Sequence, residues 1–149
     1  MRDDDQVSDE PDGVDLGEGT QFNRIGSNGD GVEDAAEGNV ISANAGNGVR
    51  IAASHSNVVA GNLIGTDFTG TADQGNTFNG VSIDSGSTNN TIGGATGGVG
   101  NVVAFNSRHG VEISGNSAGN AVRGNSIHSN DFLGINLVGD DYGGDVTEN

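Results

Sequence analysis

The chain has 149 residues, a formal net charge of −16, 28 glycines, a single proline and no cysteine. That length suits one domain, and the lack of cysteine excludes disulfides and cysteine-ligated zinc. There is no lysine, which argues against a phosphate-tracking groove for nucleic acid.

Charge divides the chain into three parts. Residues 1–37 hold twelve of the 21 acids and residues 140–149 hold four, whereas residues 38–139 carry five acids against three arginines. We read 1–12 as an acidic N-terminal tail, 13–139 as the folded body and 140–149 as an acidic C-terminal tail. The opening MRDDDQVSDEP lacks the basic start and apolar stretch of a signal peptide. No apolar run approaches the roughly 18 residues of a membrane span, so membrane insertion is not expected. Gly-rich acidic chains are often disordered, but here Val and Ile fall in short, regularly placed groups.

Those groups repeat, and the repeat decides the fold. The first element is GVDL at 13, followed by NRI at 23, NVI at 39 and GVRI at 48. The same three signatures return as NVV at 57, NLI at 62 and GVSI at 80. They return again as NTI at 90, NVV at 101 and GVEI at 110, and last as NAV at 120, NSI at 125 and GINL at 134. The closest spacings are five, nine and nine residues, a cycle of 23. Segments so short bury no apolar face alone, but stacked cycles do. The expectation is about four three-sided rungs, each pairing with the next at the inter-strand distance of roughly 4.8 Å.

Val49 and Ile51, Val81 and Ile83, Val111 and Ile113, and Ile135 and Leu137 are expected to fill one side of the interior. Ile25, Val59, Ile92 and Val122, with Ile41, Ile64, Val103 and Ile127, fill the other two. Surface loops are expected at 27–38, 67–78 and 94–100. Features two rungs apart lie 62 or 63 residues apart, as from Asn39 to Asn101 and from Asn57 to Asn120, which points to a duplicated two-rung unit. Asn, a poor strand former, is assigned to the corners, where it tolerates left-handed backbone. Stacked as Asn39, Asn62, Asn101 and Asn125, it is expected to hydrogen-bond from rung to rung. The outward column Asp15, Arg50, Ser82, Glu112 and Asn136 sets no acid beside Arg50 in the next rung, so it reads as a solvated polar face.

These motifs resemble right-handed parallel β-helix repeats of the pectin-lyase-like superfamily. NLIGTDFTGTADQGNTFNGVSI followed by NNTIGG is similar to the repeat of large secreted or cell-surface bacterial proteins. The resemblance spans about 13–139 and implies an all-β, single-stranded solenoid in an extracellular or cell-surface protein. It also implies that text such as GINLVGDDYGGD leads on into further rungs or domains of a longer parent, so the chain reads as a fragment.

The same coil carries enzymes and inert stalks. Enzymes of the superfamily act mainly on acidic polysaccharides. An Asp-Pro-His motif is excluded because the only proline is Pro11. RHG at 108–110 resembles the Gly-His-Gly of polygalacturonases, but the paired Asp motifs that accompany it are missing. A lyase or glycoside hydrolase therefore stands as the alternative reading, with Arg108, His109, His128 and Asp131 as its residues. The leading expectation is a non-enzymatic scaffold or adhesin-like segment.

Glycans are the expected partners. Gly46, Phe78, Arg108 and Phe132 occupy one corner column, and a guanidinium between two phenyl rings suits a sugar platform; sealing of the corner by Phe78 and Phe132 is the structural alternative. His55 is assigned to a different corner. No cofactor is expected unless it is calcium. GSNGDGVEDAAE at 26–37 matches the calcium-loop pattern at Asn28, Asp30 and Glu37, with Gly26 in place of the first acid.

Overall fold

The structure is a computed structural model describing residues 11–95 and 99–138. Most of the two acidic tails, and the tip of the 94–100 loop, lie outside the described residues. Among the described residues thirteen strands form, one at each signature. They are β1 (Val14–Leu16), β2 (Arg24–Gly26), β3 (Val40–Ile41), β4 (Val49–Ala52), β5 (Val58–Ala60), β6 (Leu63–Ile64) and β7 (Val81–Asp84). Then come β8 (Thr91–Gly93), β9 (Val102–Ala104), β10 (Val111–Ile113), β11 (Ala121–Arg123), β12 (Ser126–His128) and β13 (Ile135–Leu137). A 3-10 turn at Asp34–Ala36 is the only helical element among the described residues.

Three sheets result, of order β1-β4-β7-β10-β13, β2-β5-β8-β11 and β3-β6-β9-β12, with every strand pair parallel. The chain visits the three sheets in rotation, and each strand pairs with the third one after it. Each signature thus owns one sheet. The register sets like on like, with Val49 opposite Val81 and Ile51 opposite Ile83. Because side chains alternate across a strand, one residue in two points inward along every column. Val49, Ile51, Val59, Ile64, Val81, Ile83, Ile92, Val103 and Val111 are fully buried. The expected interior of the last circuit is not enclosed. Ile135 and Leu137 are each 45% exposed because no later strand of the described residues covers them.

Short strands leave most of the chain in corners, and the corners are where the polar groups are resolved. Asn62 Oδ1 accepts both the backbone N–H and the side-chain Nδ2–H of Asn39, at 3.1 and 2.9 Å. Asn101 does the same for Asn62, and Asn125 for Asn101. An equivalent ladder runs Asn23, Asn57, Asn90, Asn120. A third, not anticipated from the sequence, runs Asn44, Asn76, Asn106, Asn130. The remaining Nδ2–H reaches a backbone carbonyl, as from Asn101 to Val59 and from Asn90 to Ser54. These amides are buried yet saturated: among the described residues no buried side-chain nitrogen or oxygen lacks a partner. That matters because an unpaired buried polar group costs about 1–3 kcal/mol.

The left-handed backbone at these corners does not fall on the ladder Asn, as the sequence reading assigned it. It falls one residue earlier, at Phe22, Ser56, Asn89 and Gly119 before the second-sheet strands. That residue makes the bend, leaving the Asn that follows to turn its amide inward. Two glycines serve close approach instead. Gly65 and Gly93 have φ of 85° and 88°, and a Cβ there would strike the carbonyl oxygens of Ala104 and Arg123 in the next circuit.

The outward column also departs from expectation. Ser82 does stand opposite Arg50, but the guanidinium leans along the strand to Asp84, with Nε–Oδ2 and Nη2–Oδ1 both 3.2 Å. Asp15 lies 3.8 Å from its other side. The loop after β6 closes on Asp67, whose carboxylate accepts from the Thr69 hydroxyl and the Thr71 and Ala72 amides. These bonds, the Thr69 hydroxyl foremost, hold its pKa below the usual aspartate value.

Replacing Asn101 by Ala takes the acceptor from the buried Asn62 N–H and the donor from the Val59 carbonyl and is expected to cost about 2–4 kcal/mol, whereas Asn125→Ala, near the open end, should cost about 1 kcal/mol; urea unfolding of the two variants measures the difference. A lowered folded pKa means that Asp67 contributes its stabilisation above the unfolded value and loses it as pH falls through the folded one. Its carboxyl NMR titration should therefore have a midpoint below that of unstructured Asp, and Thr69→Ala should raise it.

Candidate functional site

The corner leading into the first sheet gathers the sequence-selected residues. Backbone bonds fix the column, with Phe78 N–H donating to Gly46 O (3.1 Å) and Phe132 N–H to Arg108 O (3.0 Å). The Arg108 guanidinium carbon lies 4.7 Å from the centroid of the Phe78 ring, within cation–π range. Phe132 does not complete a sandwich. Its ring packs on His109, with centroids 5.4 Å apart and planes at 47°, and it stays 62% exposed. The surface thus offers a cation on one ring and, in the next circuit, a second, open ring.

His109 is held from both sides. Its Nδ1 accepts the N–H of Leu133 at 3.1 Å, and its Nε2 lies 3.6 Å from Glu112 Oε2. Asn136 Nδ2 sits 3.2 Å from the same Nε2 and donates to Glu112 at 3.1 Å. The neighbouring column explains this arrangement. Asn47 donates its backbone and side-chain N–H to Asp12 Oδ1, Asn79 N–H donates to Asn47 Oδ1, and His109 N–H to Asn79 Oδ1. His109 Nδ1 then does for Leu133 what Asn Oδ1 does in the earlier circuits. The ring is a member of a fourth ladder, running opposite to the other three. Asp12, assigned to the tail in the sequence reading, is its first acceptor.

The remaining candidates are scattered. His128 meets Phe105 edge-on at 6.0 Å and places Nδ1 3.2 Å from Ser129 Oγ. Asp131 donates its backbone N–H to Asn106 O, with its side chain exposed. Among the described residues no hydrogen bond, ion pair or ring contact links the side chain of either to Arg108 or His109. His55 sits apart, in a bridge column with Gln21 and Thr88.

The loop at 27–38 does bring Asn28, Asp30 and Glu37 together. Asn28 donates its backbone N–H to Glu37 Oε2 and its Nδ2–H to Glu37 Oε1 and Asp30 Oδ2. Asp30 Oδ1 accepts from Val32, and Asp34, absent from the sequence-derived set, ties Ser27 and Gly31. The carboxylates hold the loop's own amides, and the described residues contain no group of three or more His, Asp or Glu side chains placed to hold a metal ion.

If His109 serves as a ladder residue, Asn should replace it. His109→Asn is expected to stay within about 0.5 kcal/mol of the parent and His109→Ala to lose about 1–2 kcal/mol, as read by urea unfolding. No protein-family model, curated protein or solved structure matches this chain.

Proposed function

We propose that the three sheets are the faces of a right-handed, single-stranded parallel β-helix of the pectin-lyase-like kind. On this reading the chain serves as a non-enzymatic scaffold or adhesin-like segment of an extracellular or cell-surface protein, binding glycans at the Phe78–Arg108–Phe132 corner. The rotation of the chain through three parallel sheets supports the coil, and crossovers between parallel strands are right-handed in about 98% of cases. The observation that carries the binding role is the exposed Phe132 ring one circuit on from a guanidinium already poised on Phe78. Rings of this kind stack on the apolar faces of sugars, while Arg108 donates to hydroxyls or carboxylates. The corner is rigid, because its backbone is hydrogen-bonded circuit to circuit.

A lyase or hydrolase at this corner has less support. An acid–base residue needs a nitrogen or oxygen free to face substrate, and both ring nitrogens of His109 face protein. His128 and Asp131 do not join it.

A glycan array probed with the full chain, in calcium and again in chelator, tests the proposal. Selective binding is expected, equal in both conditions because Asp30 and Glu37 already serve the loop. Phe132→Ala and Arg108→Ala should each weaken binding several-fold to about tenfold. Absence of binding by folded protein would leave a spacer, and release of unsaturated sugar ends from polyuronates would replace this reading by the lyase.

A further inference from the structure

His109 is the one ladder acceptor whose donor and acceptor character changes near neutral pH. The other acceptors of the four ladders are Asn amides, which do not titrate, and Asp12, which keeps a carbonyl acceptor even when protonated. An imidazole does titrate there, and a ring carrying two protons has no acceptor nitrogen left. His109 Nδ1 accepts the Leu133 N–H at 3.1 Å, so the neutral ring carries its proton on Nε2. That proton faces Glu112 Oε2 at 3.6 Å, the oxygen that also accepts from Asn136 Nδ2.

A second proton must go to Nδ1, where it meets the Leu133 N–H, donor against donor. The other surroundings favour the imidazolium. Glu112, on β10, is the only carboxylate within ion-pair distance of the ring among the described residues. The Phe132 ring, its centroid 5.4 Å away, attracts a cation. The segment before β13 and β13 itself present Phe132, Leu133 and Asn136, the earlier circuit presents Asn79, and none of these titrates. Arg108, next in the chain, lies on Phe78 instead. The ring is thus held where it is, and the Leu133 peptide gives way. The other histidines have no such conflict. His128 Nδ1 faces the Ser129 hydroxyl, which donates or accepts alike, and His55 is tied to its column by its backbone N–H.

We infer that protonation of His109 opens the His109–Leu133 link and so regulates the proposed glycan corner; the effect on binding rests on that reading. Two hydrogen bonds bracket Phe132, its own N–H to Arg108 O at 3.0 Å and the following N–H to His109 Nδ1. Acid removes the second, and the peptide that joins Phe132 to Leu133 is freed to turn. The exposed ring then loses part of the backbone support that aims it, while Arg108 on Phe78, in the earlier circuits, is untouched. Binding therefore weakens in acid, and the three Asn ladders, built from amides, stay closed.

Nuclear magnetic resonance of the full chain from about pH 8 to about pH 5 tests the link without ligand. The Leu133 amide is expected to shift, and to exchange faster, in step with the His109 imidazole. The His109 N–H, donated to Asn79 Oδ1, should stay protected throughout. In His109→Asn the Leu133 amide should not respond, since a carboxamide oxygen accepts at every pH in this range. A Leu133 amide unmoved through the imidazole titration of the parent chain would overturn the inference, as would an equal response in the variant. Regulation is read with the glycan that the array selects. Its affinity for the parent is expected to fall about fivefold in acid, while in His109→Asn the affinities at the two pH values should agree. Equal affinities in the parent would overturn the regulatory role. Absence of bound glycan at either pH would overturn the binding reading and that role with it, while the amide titration still decides the link itself.

Discussion

One carboxamide oxygen accepting two N–H groups from the circuit before it is the interaction on which this structure depends. Strands of two to four residues make too few ladder bonds to fix their own register. The corners between them would bury backbone donors without partners. Asn resolves both problems at once. Its Oδ1 takes the backbone N–H of the preceding corner and its Nδ2 returns a bond to a carbonyl, so the corner becomes as fully bonded as the sheets. Six of these residues, including Asn57, Asn90 and Asn106, are essentially inaccessible to solvent. Their amides therefore act in a low-dielectric setting, where a satisfied polar network specifies one arrangement and a broken one is costly.

The ladders also decide what the surface can do. Because corner residues repeat in register, any side chain placed at a corner meets its counterpart one circuit away. At the corner before the first sheet this brings Phe78, Arg108, His109 and Phe132 into contact although they are spread over 55 positions. A binding surface arises by changing a few corner residues without touching the core. The proposed glycan platform is such a change, with Gly46 giving way to Phe78, Arg108 and Phe132 in successive circuits. Where Asn gives way to His109, the replacement keeps the acceptor that the circuit needs.

The fold was largely legible because its signal is repetition. Thirteen short signatures became thirteen strands, and each signature type became one sheet. What escaped notice were relations that run across circuits rather than along the chain. Asn44, Asn76, Asn106 and Asn130 each stand four residues before the glycine that opens a first-sheet strand, a constant offset that predicts the third ladder once sought. The Arg50–Asp84 pair was missed because a strict opposite-residue rule ignores the reach of Arg along a strand. The corner column at Phe78, Arg108 and Phe132 was readable from spacing, but the choice of His109 over Arg108 as the partner of Phe132 depends on side-chain rotamers that no spacing encodes. The left-handed positions that precede nine of the twelve ladder Asn residues were assigned to the wrong neighbour, because Asn's tolerance of that backbone was taken as its role.

A stack held by directional ladders has a beginning and an end that differ chemically, and that polarity follows from the same hydrogen bond that closes each corner. The most direct test of the ladders is amide hydrogen exchange resolved by residue. The N–H groups of Asn57, Asn62, Asn76, Asn90, Asn101 and Asn106 should exchange as slowly as those of the central strands, while those of Asn120, Asn125 and Asn130 exchange fast. If the six corner amides exchange like ordinary surface turns while the strands stay protected, the ladders are not what holds the circuits together.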